Sequence, residues 1–148
     1  MEPLDLTKAP PRGARETALG LMFLPRTIDK MRANLPGGNL NGYLVEYSRG
    51  LSAFVLKRVG VDLAALQAVV ASAASEEEVL AWFERHADLS DVAGINAKLE
   101  SLSLERLTDE DRAMVHRVHP SIVGQPGIAT FFEMFEFDDA RVAAAGAG

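Results

Sequence analysis

Residues 24–47 read LPRTIDKMRANLPGGNLNGYLVEY. Leu24, Ile28, Met31 and Leu35 fall at i, i+4, i+7 and i+11, the spacing of one apolar stripe on a helix. Pro25 suits the first turn, where its missing N–H would have no partner anyway. Pro36-Gly37-Gly38 ends the pattern. Arg26, Asp29 and Lys30 share a second face, and Arg32 points elsewhere on the wheel. Arg26 and Lys30 are i, i+4 neighbours with Asp29 beside both. The stretch therefore predicts a short helix over 24–35 with a concentrated charged face. That face is either solvated or one wall of a site. Asn41-Gly42 signals a turn, and Tyr43 to Tyr47 reads as a short extended piece.

The rest of the chain repeats the helical period and shows no alternation that would build a sheet. Residues 51–59 end on Lys57 and Arg58, cations placed where a helix dipole favours them, and Gly60 closes the segment. Asp62 caps the next helix. Ser75 with Glu78 forms a capping-box pattern, Ser90-Asp91 opens a further helix, and Thr108 precedes another. Pro120 stops that one. An aromatic helix over 128–137 carries Phe131, Phe132, Phe135 and Phe137. The reading is an all-α, compact single domain of six or seven short helices over 14–142. Residues 14–23 read as a short helix or turn. Residues 1–13, with three prolines, form an extended N-terminal arm, and 143–148, AAAGAG, form a disordered tail.

Composition narrows the chemistry. The chain has 148 residues, 48% hydrophobic, with net charge −6 and no cysteine. Thiol nucleophiles, disulfides and cysteine-bound metals are therefore excluded. No run reaches the roughly 18 apolar residues of a membrane-spanning helix, so a soluble, cytoplasmic protein with no membrane partner is expected. The first 58 residues hold nine of the 15 lysines and arginines but only five of the 21 acids. That part is thus about +4 and the remainder about −10. Such asymmetry suits an anionic metabolite better than duplex nucleic acid, and no nucleic-acid partner is expected.

Candidate site residues follow from that basic half. Arg26, with Arg12 brought over from the arm, offers planar forks for a carboxylate or phosphate. Asp29 would orient them. Tyr43 and Tyr47 would bond the far end of a ligand, and Lys30 or Tyr43 would transfer protons in a cofactor-free elimination, isomerisation or hydrolysis. An Arg26→Met change is expected to abolish binding without unfolding. The sequence His116-Arg117-Val118-His119 lacks the glutamate of a zinc-binding HExxH, and Arg117 disfavours a cation, so no metal is expected. Asp138-Asp139 reads as a helix end. The alternative is an interaction or homodimerisation module using the aromatic last helix.

Asp5-Leu6-Thr7, Pro10-Pro11-Arg12 and Leu24-Pro25-Arg26-Thr27-Ile28-Asp29-Lys30 together resemble a bacterial family, domain of unknown function 5069. The resemblance runs over about residues 4–85 and again around 131–139. It implies a single domain of this length and brings no activity, cofactor or catalytic residue. After Asn-Gly-Tyr many members carry a Pro-Leu-Asp-like segment, where this chain has Ser48-Arg49-Gly50-Leu51 and no acid. The matching motifs lie in the arm and the charged helix, which favours a site there.

Overall fold

A computed structural model describes residues 1–46 and 48–147. Seven α-helices follow one small hairpin: β1 (Thr17–Ala18), β2 (Leu21–Met22), α1 (Leu24–Ala33), α2 (Leu51–Val59), α3 (Leu63–Ser72), α4 (Glu76–His86), α5 (Val92–Ser101), α6 (Asp109–Val118) and α7 (Phe131–Ala147). Single 3₁₀ turns, Leu104–Arg106 and Pro120–Ile122, flank α6. The domain is mostly α, as its periodicity predicts.

Local chemistry explains the helix starts. The side chains of Asp62, Ser75 and Thr108 accept hydrogen bonds from the N–H groups of Ala65, Glu78 and Asp111 at 3.0, 3.3 and 3.1 Å. Each satisfies one donor that the first turn leaves without a partner. Glu78 turns back to the N–H of Ala74 rather than Ser75, so the box is offset by one residue. The last helix has a reciprocal box: Glu133 N–H donates to Thr130 Oγ1 at 3.2 Å, and Thr130 N–H donates to Glu133 Oε1 at 3.1 Å.

Three segments differ from the sequence expectation. Residues 14–23 are neither helix nor simple turn: Thr17 pairs with Met22 and Ala18 with Leu21 in an antiparallel hairpin. Leu19 and Gly20, both at positive φ, make its two-residue turn, the geometry that matches strand twist. No strand forms over Tyr43–Glu46; these residues are a loop, and Tyr47 lies outside the described residues. Finally, α7 begins at Phe131 and continues to Ala147, well past both Phe137 and the boundary at 143. A Cβ on Gly146 would clash with the carbonyl oxygen of Lys8, so the arm passes close over this helix end.

The core gathers around α1. Leu24, Ile28 and Met31 are fully buried, as are Val55, Leu66, Val70, Val79, Phe83, Leu99 and Phe132. Each such side chain contributes about 1.5–3 kcal/mol. A smaller cluster of Leu104, Ile122 and Met134 sits beneath the loops around α6. Along the other side of α1 runs the arm. Leu6 N–H donates to Asn39 carbonyl at 2.9 Å, and Asn39 N–H donates to Leu4 carbonyl at 2.9 Å. Leu6 is itself buried. With the arm on one side and α7 on another, α1 is covered nearly all round, and this covering creates the site.

Candidate functional site

Arg26, Asp29 and Lys30 are buried, at 1%, 6% and 7% exposure. A charged group removed from water needs a partner, and the three side chains find different ones. Asp29 is held by the arm. Arg12 donates to it from its backbone N–H at 2.8 Å and from Nε and Nη2 at 3.0 and 2.9 Å. Arg12 also pairs with Glu76 at the start of α4. The Glu76 carboxylate first, with Asp29 beside it, raises the guanidinium pKa further above its ordinary value. The arm does fold over the charged helix, but Arg12 and Asp29 form a clasp with α4 and do not line the cavity described below.

Arg26 turns the other way, to α7. Its Nη1 donates to Asp139 Oδ2 at 2.6 Å and its Nη2 to Asp139 Oδ1 at 3.0 Å. Nη1 also reaches the Arg12 carbonyl at 3.2 Å. The rings of Phe135, Tyr43 and Phe23 surround the guanidinium at 4.9, 5.4 and 5.8 Å. Nε is buried and has no partner among the described residues. The fork expected to meet a ligand is therefore occupied by a carboxylate of the protein itself. Arg26→Met does not isolate binding from folding, because it strands Asp139.

Tyr43 joins the same carboxylate, its hydroxyl donating to Asp139 Oδ1 at 3.0 Å. Burial, reinforced by the Asp139 charge, pushes its pKa well above the ordinary tyrosine value. Tyr43 thus holds its proton more tightly than a free tyrosine and donates it to Asp139.

Lys30 is the exception to this pairing. Its Nζ donates to the Leu44 carbonyl at 3.0 Å and lies 5.1 Å from the centre of the Phe23 ring. Among the described residues no carboxylate forms an ion pair with it. Burial first, and the Arg26 cation second, push the amine down to about 7, while Asp139 offsets part of that. Phe23 supports this arrangement at a cost. It sits just before α1 with φ 71, a left-handed conformation that bulky residues rarely adopt. Its ring stacks on Phe132 with centroids 6.2 Å apart.

Lys30, Arg26, Phe23 and Tyr43 line one end of a cavity of about 240 Å³. Apolar side chains make most of its wall: Met114, Val115 and Val118 from α6, and Phe131, Met134 and Phe135 from α7. Ser52 of α2 also faces it, hydrogen-bonded to Thr27 at 2.8 Å. Arg49, paired with Asp111 at 2.6 Å, is its most exposed cation. Tyr47, a candidate from the sequence, lies outside the described residues.

Two networks beside the cavity escape the sequence reading. Pro120 forces His119 out of helical geometry, ending α6 and setting the His119 ring against Phe135. His119 lines the cavity, and its Nδ1 donates to Asp138, which also accepts from the Ser121 hydroxyl. Burial alone would raise the Asp138 carboxyl; the bonds from His119 and Ser121 outweigh it and hold the group below its ordinary value. An ionised Asp138 accepts only, so His119 Nδ1 carries the proton of that bond. Adjacent residues of a helix point about 100° apart. Asp138 and Asp139 accordingly serve two networks, His119–Ser121 and Arg26–Tyr43. Reading Asp138-Asp139 as a helix end hid both. The one available signal was the Thr130–Glu133 box, which starts a helix long enough to place them mid-span.

Among the described residues, no helix is long and apolar enough to cross a membrane, and no three His, Asp or Glu side chains are grouped to hold a metal. No curated protein matches the chain. The family model described as "Domain of unknown function (DUF5069)" matches residues 8–141, from the arm through Asp138 and Asp139, and the chain belongs to that family.

Proposed function

We propose that the cavity binds a small molecule with an apolar body and one carboxylate, seated with its charged end at Lys30. The observation that carries this reading is an imbalance of partners at one end of an otherwise apolar cavity. Lys30 Nζ is buried with a single carbonyl acceptor, and Arg26 Nε has no acceptor among the described residues. Buried donors are normally satisfied, and those that are not call for an explanation. A carboxylate at this end would accept from Lys30 Nζ and compensate its charge. The apolar wall from α6 and α7 would hold the rest of the ligand, and 240 Å³ is below the range for drug-sized ligands, so the ligand is metabolite-sized.

The reading as a docking or dimerisation module has less support. Phe132 is fully buried and Phe131, Phe135 and Phe137 pack within the domain. Large exposed hydrophobics among the described residues are confined to Leu44 and Val123.

Isothermal titration of the protein with short branched and aromatic carboxylates tests the proposal. Saturable binding to the parent and at least about a tenfold weaker binding to Lys30→Met are expected, the loss of one charged hydrogen bond being worth about 1.5–3 kcal/mol. Equal affinity in both proteins would exclude Lys30 as the anchor.

A further inference from the structure

Resting on the reading of the cavity as a carboxylate site, we propose that Lys30 is a covalent nucleophile for small oxo acids, with the His119–Asp138 pair as the base acting on the resulting imine. A lysine amine becomes nucleophilic when it loses its proton, which happens in an apolar enclosure or beside another cation. Lys30 has both: 7% exposure against the face of Phe23, and Arg26 one helical turn away. Desolvation and Arg26 together bring it to about 7, so a substantial fraction is neutral at physiological pH. Among the described residues no acid pairs with it to hold the proton in place.

The steps balance without an oxidant or cofactor. The Lys30 nitrogen lone pair forms a bond to the carbonyl carbon, and the C=O π pair moves to oxygen. That oxygen leaves as water with the two protons of the amine, a C=N bond forms, and a proton taken up from solvent makes it the iminium. The protonated imine withdraws electrons from the neighbouring carbon. His119 Nε2 takes a proton from that carbon, and the C–H pair becomes a C=C bond as the imine π pair moves to nitrogen. Return of the proton and addition of water release the oxo acid. His119 is equipped for this because Asp138 fixes its ring and its tautomer, and Ser121 fixes Asp138. Both Lys30 and His119 line the same cavity. The minimal consequence is exchange of the hydrogens next to the substrate's carbonyl with solvent.

The test uses the full chain with 2-oxobutanoate and 4-methyl-2-oxopentanoate, sodium borohydride and mass spectrometry. One reduced adduct per chain on Lys30 is expected, and none on Lys30 in Lys30→Arg. No adduct, or adducts spread equally over Lys8, Lys57 and Lys98, overturns the nucleophile. Deuterium exchange followed by NMR tests the base. His119→Asn should keep the borohydride adduct yet lose exchange by about 10²-fold or more, the usual contribution of general base catalysis. Unchanged exchange in that variant overturns the role of His119. Titration with 4-methylpentanoate, which has no carbonyl, separates the two readings: its binding without any trapped adduct removes the covalent step while leaving the carboxylate site standing. Failure of both removes the site.

Discussion

Arg26 and Asp139 are 113 positions apart in the chain and form a two-pronged ion pair, with contacts of 2.6 and 3.0 Å, at 1% and 15% side-chain exposure. This pair ties the first helix to the last, and its Arg26 lines one end of the cavity. Removing one member of a buried pair is far costlier than removing both, because the remaining charge stays desolvated. Asp139→Asn should therefore destabilise the fold by about 3–5 kcal/mol, and it also weakens the acceptor of Tyr43. Urea denaturation measures it. A loss under about 1 kcal/mol would mean that the pair is solvated in practice.

Lys30 should oppose stability. In the unfolded chain its amine has the ordinary value of 10.5; in the folded protein it is near 7. Between these values the unfolded state binds more protons, so stability rises with pH across that window. Below about 7 the full cost of burying the charge is present, on the order of 5 kcal/mol from the gap between the two values. Lys30→Met should consequently be more stable than the parent at pH 6, with the difference shrinking toward pH 10. Parallel melting curves across that range check it; a constant difference would refute the link to titration.

The same titration gives ligand binding a direction. A carboxylate is held best by the ammonium form of Lys30, so its affinity should fall as pH rises above about 7. Titration of a simple carboxylate at several pH values should show this decline in the parent and a flat profile in Lys30→Met. An affinity that grows with pH would place the anion elsewhere.

Thr130 fixes where α7 begins, and hence where Asp138 and Asp139 fall. Its box with Glu133 satisfies donors at that helix start. Thr130→Ala should cost about 1 kcal/mol, seen as a lower denaturation midpoint with an unchanged slope. No change would mean that packing of Phe132 and Met134 alone sets the start.

Side chains and backbone rules within a few residues of each other explain what the sequence determined. Asp62, Ser75 and Thr108 start helices because a short polar side chain can reach the second or third N–H beyond it. Pro36, Gly60 and Pro120 stop them for equally local reasons. The stripe of Leu24, Ile28 and Met31 required burial on one side, and it is buried. These features together make a mostly helical domain, and they were readable without any tertiary information. The opposite face of α1 was different in kind. Arg26, Asp29 and Lys30 look like a solvated helix face by spacing, and nothing within 24–47 decides otherwise. Their fate rests on Arg12 and Glu76 for Asp29, on Asp139 for Arg26, and on a carbonyl in place of any acid among the described residues for Lys30. Charge pairing across a hundred residues leaves no periodic trace in a sequence, because it depends on which surfaces the folded chain brings within 3 Å. The tertiary structure alone therefore turned a charged helix face into the end of a cavity, where a buried amine meets a carbonyl and, among the described residues, no carboxylate.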